Sequence, residues 1–246
     1  MIGGISGGMR GQLAFDLGQR NGFARDDFFP SASNRAALAM VDGWQGWPSG
    51  RMLLIGPQGA GKTHLAHIWA GMSGAQMVGA AGLASADLPD LASAGAVVLE
   101  DAHALPRAGE EALFHLHNLI SNAGHLLITA RTPPRDWGLV LPDLFSRMQA
   151  MPITQLAAPD ESLIAAVLVK LFADRQITVP PTLIAYLAPR IDRSIGAARD
   201  IVAALDARAL AQGRAVTRAL AADVLDKPAL DKPALDKDAL DKDTVG

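Results

Sequence analysis

Gly56-Pro57-Gln58-Gly59-Ala60-Gly61-Lys62-Thr63 constrains this chain more than any other stretch. The five residues before it, Arg51–Ile55, are apolar after the first and bounded by Gly50 and Gly56, which predicts a buried strand. The residues after it, from His64 to Ala70, read as a helix. The octet fits G-x-x-x-x-G-K-[ST], and strand–loop–helix is the setting that a phosphate-binding loop needs. Its glycines let the backbone curl until successive N–H groups point at phosphate oxygens. The helix N-terminus adds partial positive charge. Lys62 is expected at the β- and γ-phosphates, Thr63 on Mg²⁺, and His64 beside them. An ordinary glycine-rich turn is the alternative, and the flanking strand and helix disfavour it.

The rest of the chain is consistent with a large core around that loop. Half of the 246 residues are apolar, enough for one large domain or two small ones. The chain has no cysteine, so disulfides and thiolate zinc sites are excluded. Apolar runs are short and none approaches the roughly 18 residues of a membrane span. The N-terminus lacks the basic and apolar regions of a secretory signal. A net charge of −3 gives no support for a broad nucleic-acid-binding surface.

Strand-like and helix-like segments alternate from about Phe28 to about Ile153. The expected strands are Arg51–Ile55, Gln76–Gly79, Ala96–Glu100, His125–Ala130 and residues 151–153, with helices over 62–71 and 110–122 between them. Alternation of this kind predicts an α/β fold with a parallel sheet flanked by helices. After Pro159 the pattern becomes helical, over 160–176, 181–188, 194–212 and 217–225, with Gly213 as a C-cap and Thr217 as an N-cap. The expected organisation is therefore a flexible leader at 1–11, a separate peptide at 12–17, an α/β domain at 18–157, a small all-helical domain at 158–225, and a tail at 226–246. The tail repeats every five residues (Ala229-Leu230-Asp231-Lys232-Pro233, and on) and is too polar and Pro-rich to pack.

Four further features bear on the chemistry. Ala96–Glu100 ends in two acids, Glu100 and Asp101, which can hold the Mg²⁺ shell and orient or deprotonate a water. His125–Ala130 ends beside Thr129 and Arg131, which can sense a γ-phosphate; a bland strand end is the competing reading. Arg147 precedes the last strand at an expected domain edge, where a guanidinium can reach a neighbour's phosphates; an ordinary surface arginine is the competing reading. Arg199 lies in the first turns of a helix in the second domain and can point back at this chain's own nucleotide; a helix-surface arginine paired with Asp200 or Asp192 is the alternative.

In this order the pieces resemble an AAA+ ATPase: phosphate loop, acid-tipped strand, polar-tipped strand, arginine finger, helical lid with an arginine. Phe28-Phe29-Pro30-Ser31-Ala32-Ser33-Asn34-Arg35 is similar to the segment of the DnaA branch that lies over the adenine, which implies nucleotide contacts from Ser33 and Asn34. Arg199, Ile201 and Leu205 are similar to the lid signature of that branch. Gln12-Leu13-Ala14-Phe15-Asp16-Leu17 resembles a peptide that binds the sliding clamp (β subunit) of DNA polymerase III, with Gln12 at a pocket rim and Leu13, Phe15 and Leu17 filling it. No helix-turn-helix domain is expected between the lid and the five-residue repeat.

That layout resembles the Hda family, in its alphaproteobacterial form. The resemblance implies a five-stranded parallel sheet, ADP or ATP with Mg²⁺ as cofactors, and DnaA and the sliding clamp as partners. It also implies a cytoplasmic negative regulator of replication initiation, recruited to the nucleoid through the clamp, with weak ATPase activity of its own. Arg147 and Asp101 would be the catalytic residues, Arg147 acting in trans on ATP held by DnaA. A self-sufficient AAA+ ATPase, such as a helicase loader, is the alternative.

Overall fold

The computed structural model describes residues 25–120 and 124–226. Among them, five strands form one parallel sheet in the order β2-β3-β4-β1-β5: β1 Arg51–Ile55, β2 Gln76–Gly79, β3 Ala96–Glu100, β4 His125–Ala130 and β5 Ile153–Gln155. The first four coincide with the expected strands. Strands β1, β3 and β4 are almost wholly buried, whereas the edge strands β2 and β5 are not. This is why the inner strands read as unbroken apolar runs: a parallel sheet is covered on both faces.

Side chains alternate across the sheet with the period of two that strand geometry imposes. Met52, Leu54, Val98 and Leu127 face α1 (Arg35–Asp42) and α2 (Lys62–Ser73), where Leu65 and Trp69 fill the layer. Leu53, Ile55, Val97, Leu99, Leu126 and Ile128 face α3 (Leu88–Ser93), α4 (Glu110–Leu119) and α5 (Pro142–Ala150). A third apolar cluster belongs to α6 (Glu161–Asp174), α7 (Pro181–Leu187), α8 (Ile195–Gln212) and α9 (Arg218–Asp226), centred on Leu168, Phe172, Leu187 and Leu205.

Two expectations are corrected. The last strand begins at Ile153, not at residue 151. Met151 is buried at the end of α5, and Pro152 has no N–H to contribute; its carbonyl accepts from Leu53 before pairing with β1 starts. Helix α4 stops at Leu119 rather than continuing to 122. Its terminal carbonyls at His117 and Ile120 accept from Arg51 Nη2 at 3.0 and 2.9 Å, so a side chain from β1 caps the helix. The caps of the helical domain follow the sequence: Gly213 ends α8 in the left-handed conformation, and Thr217 Oγ1 accepts from Leu220 N–H. Among the described residues no helix is long and apolar enough to cross a membrane. The 12–17 peptide, the leader and the five-residue-repeat tail lie outside the described residues.

Candidate functional site: a phosphate loop under a helical domain

The loop leaves the carboxyl end of β1, with Gly56 N–H donating to Ala130 O at 3.1 Å. A side chain at Gly56 would meet Leu156 O at 2.6 Å, so only glycine lets the loop turn this close to the chain leaving β5. Gly59 and Gly61 have φ of +75° and +103°, where other residues are strained. Gly61 caps α2 without any side-chain hydrogen bond. The first-turn N–H groups of α2, which have no intrahelical acceptors, are thus left for an anion.

Lys62 is buried, and its Nζ donates to the carbonyls of Gly56 (2.8 Å) and Pro57 (2.9 Å). Burial lowers its pKa, the nearby Asp101 carboxylate opposes that, and Arg131 adds to it. The ammonium is therefore poised inside the loop, holding its own carbonyls, and must exchange them to reach a phosphate. Thr63 is exposed at the mouth of the same cleft. That cleft encloses about 730 Å³ and is lined by Gln58, Lys62, Thr63, Asp101, Arg131 and Arg199 among others.

The acid pair divides its labour. Glu100 Oε1 is buried with no hydrogen-bond partner, an orphaned acceptor of the kind that a metal-bound water or cation would satisfy. Asp101 is exposed and lines the cleft. Its backbone is left-handed (φ +57°), and its N–H donates to Thr129 Oγ1 at 3.1 Å. Thr129 is thus not a group aimed at the cleft; it is a buried clamp that holds Asp101 in a strained conformation. Arg131 lines the cleft directly, and its N–H donates to His103 Nδ1 at 3.3 Å. Among the described residues no three His, Asp or Glu side chains cluster as a metal site. A magnesium ion here would need nucleotide oxygens beside Thr63 and the two acids, its ordinary mode of binding.

A smaller apolar cavity of about 110 Å³ adjoins the cleft. Phe28, Phe29, Asn34 and Ala60 line it from the α/β domain; Leu163, Leu171, Ile195 and Arg199 close it from the helical domain. Phe28 meets His64 edge-on at 5.2 Å. A flat base beside a phosphate loop would be enclosed here. Asn34 belongs to the lining, but its side chain bonds Phe29 O and Ser31 N–H. Ser33 is in neither lining; its hydroxyl bonds Ser31 Oγ and its carbonyl accepts from Ala157 N–H. Leu163 and Leu171 of this wall read in the sequence only as the apolar face of a helix, and Lys170, which also lines it, as a surface lysine, so none of the three carried a site signal.

The two domains meet at the loop itself. Gly59 O accepts from Ile195 N–H at 3.0 Å, and Ser194, which caps α8, packs directly on Gly59. Arg199, one turn further along α8, lines both cavities. Arg147 stands elsewhere. It is exposed in the last turn of α5, its guanidinium carbon 4.9 Å from the Phe114 ring centroid and its Nη1 3.3 Å from His117 Nδ1. These neighbours flank Arg51, at the amino end of β1. The phosphate loop leaves the other end, about 16 Å away along a five-residue strand.

In sequence the chain matches no family model and no curated protein. Its fold is similar to domain III of DnaA from Thermotoga maritima (TM-score 0.70, 17% identity, 84% of this chain and 96% of that one). It is also similar to AMPPCP-bound DnaA from Aquifex aeolicus (TM-score 0.62, 16% identity, 76% of this chain), of which it spans 65% of the length. The Holliday-junction branch migration motor RuvB of Thermotoga maritima is a third likeness (TM-score 0.64, 18% identity, 83% of this chain, 71% of that one). The chain therefore shares the fold of these proteins, a five-stranded parallel sheet with flanking helices, followed here by the helical cluster α6–α9.

Proposed function

We propose that this chain is a nucleotide-holding regulator of replication initiation, of the Hda kind, that stimulates hydrolysis of ATP bound to DnaA. The observation that carries the reading is the position of Arg147. It is exposed, it has no carboxylate partner among the described residues, and it lies at the opposite end of β1 from this chain's own phosphate loop. A guanidinium so placed cannot serve its own nucleotide and is free to serve another protein's. Supplied in trans, it would neutralise charge developing on the γ-phosphoryl group, a contribution worth roughly 10³–10⁵ in rate in other phosphoryl-transfer systems.

Each remaining residue has a role in this scheme. Gly56, Pro57, Gln58, Gly59, Ala60, Gly61, Lys62, Thr63 and His64 hold ADP or ATP, and the Phe28 cavity encloses the base. Bound Mg²⁺ would neutralise phosphate charge beside Thr63, Glu100 and Asp101. Arg199 reads the nucleotide from the helical lid, so that the angle between domains follows its state. Gln12, Leu13, Phe15 and Leu17 bind the sliding clamp, which raises the local concentration of the regulator where replication is running.

The test is hydrolysis of ATP pre-bound to DnaA, with this chain added in its ADP form, with and without clamp loaded on DNA. Hydrolysis that needs both supports the reading, and Arg147→Ala should then abolish it while nucleotide and clamp binding persist. Turnover of ATP by the chain alone, with DnaA unaffected, would establish the self-sufficient ATPase instead. Asp101 and Arg131 lining this chain's own cleft are the observation that favours that second reading.

A further inference from the structure

Arg25, Lys170, Arg175 and Arg214 each sit against a carboxylate. Arg147 is held differently: its neighbours are the face of Phe114 and the ring nitrogen of His117, both from α4. Arginine has no acceptor, so His117 Nδ1 must accept, and the imidazole is neutral with its proton on Nε2. Burial first, then the charges of Arg51 and Arg147, push the pKa of His117 down to about 4, so it is neutral at physiological pH.

The support is itself fixed. Arg51 donates to Ser49 O, His117 O and Ile120 O, which ties the end of α4 to the start of β1. At the other end of α4, the buried carboxylate of Glu110 accepts from the N–H groups of Val140 (3.0 Å) and Leu141 (2.8 Å), where α5 begins. Helix α5 is thus pinned to α4 at the end remote from Arg147, while Arg147 rests on α4 at the near end. A carboxylate in the place of His117 would hold a guanidinium more tightly, but it would also neutralise it and compete with a phosphate. An aromatic face and a neutral imidazole orient the cation and leave its charge whole.

We propose that Phe114 and His117 are positioning residues for Arg147, holding its guanidinium outward and un-neutralised for a polyphosphate presented by another protein. The proposal rests on the trans reading of Arg147 above. It predicts a transition-state effect, since the finger stays present but loses its direction. His117→Leu and Phe114→Leu should lower the maximal rate of DnaA-bound ATP hydrolysis about 10- to 100-fold, the cost of a misplaced group, with the half-saturating concentration of the chain unchanged. His117→Gln, which keeps an acceptor, should recover most of the rate. In the free full-length chain, NMR relaxation of the Arg147 side-chain Nε–Hε group should show an ordered guanidinium that becomes mobile in His117→Leu and Phe114→Leu. Should His117→Leu fail to fold, Phe114→Leu carries the same test on a half-buried ring. Folded variants that keep the full rate while Arg147→Ala is inactive, or an Arg147 that stays equally ordered, overturn the positioning role. Full stimulation by Arg147→Ala would instead overturn the trans reading beneath it.

Discussion

Replacing Gly59 by alanine attacks the junction between the phosphate loop and the helical lid. The residue has φ +75°, and an added Cβ would lie 2.5 Å from Ser194 Cβ. Ordinary carbon–carbon contact is about 3.5 Å or more, so one side must move by roughly 1 Å. Three costs follow. The left-handed backbone costs alanine about 1 kcal/mol. Overpacking a rigid junction costs about 1–3 kcal/mol. Movement of α8 breaks the Gly59 O–Ile195 N–H bond, worth about 1 kcal/mol. Whether the loop uncurls or the lid lifts, Arg199 and the loop amides lose their common geometry. Titration with a fluorescent ADP should then show binding weakened by about 3 kcal/mol, more than a hundredfold. Ser194→Gly removes the clashing atom and, as a change of helix cap to glycine, costs only about a few tenths of a kcal/mol. The Gly59→Ala/Ser194→Gly double variant should therefore regain about 2 kcal/mol and retain the backbone strain and a 3.3 Å contact with the Cα of residue 194. A Gly59→Ala chain that binds ADP within twofold of the parent, or a double variant no better than the single one, would refute this account of the junction.

Other outcomes follow from the same structure. Glu110→Ala leaves the N–H groups of exposed Val140 and half-buried Leu141 without their charged acceptor, and urea unfolding should show a loss of about 2 kcal/mol. His117 has a folded pKa of about 4, below its unfolded value, so the unfolded chain binds the extra proton first as pH falls. Its contribution to stability is complete above about pH 6.5 and declines toward pH 4, by on the order of 2 kcal/mol once solvent screening is included. Melting curves of wild type and His117→Gln between pH 7 and 4 should converge as the pH drops, and parallel curves would contradict the assignment. Replacing both Gln12 and Leu13 with alanine should abolish binding to the sliding clamp in surface-immobilised assays while the circular dichroism spectrum is unchanged; undiminished affinity would remove the peptide assignment.

Much of the fold is legible in the residues alone. Strands β1, β3 and β4 are apolar without interruption because both faces of the sheet are covered, and α2 begins where the phosphate loop requires it. The caps at Gly213 and Thr217 are equally local. Where local pattern failed, a distant partner had intervened. Residues 151–153 look like a strand, but Pro152 cannot donate, and Met151 is drawn into the core under α5. The helix expected to reach residue 122 ends at Leu119 because Arg51, from a strand far earlier in the chain, takes its last carbonyls. Thr129 has the look of a sensor at a strand tip, but it is buried and its hydroxyl oxygen accepts from Asp101 N–H.

What the residues determine by themselves is everything that depends on neighbours a few positions away: the curl of the loop at Gly59 and Gly61, the strand and helix periods, the helix ends. What only the tertiary structure decided is which charges meet. It set Lys62 onto the carbonyls of its own loop, turned Asp101 into the cleft, and brought the start of α8 down on Gly59. It also put Arg147 on α4 at the amino end of the sheet, opposite the loop. Those relations depend on the order in which parallel strands lie side by side and on which face each crossover helix covers. Such contacts join residues dozens of positions apart, and no local periodicity encodes them.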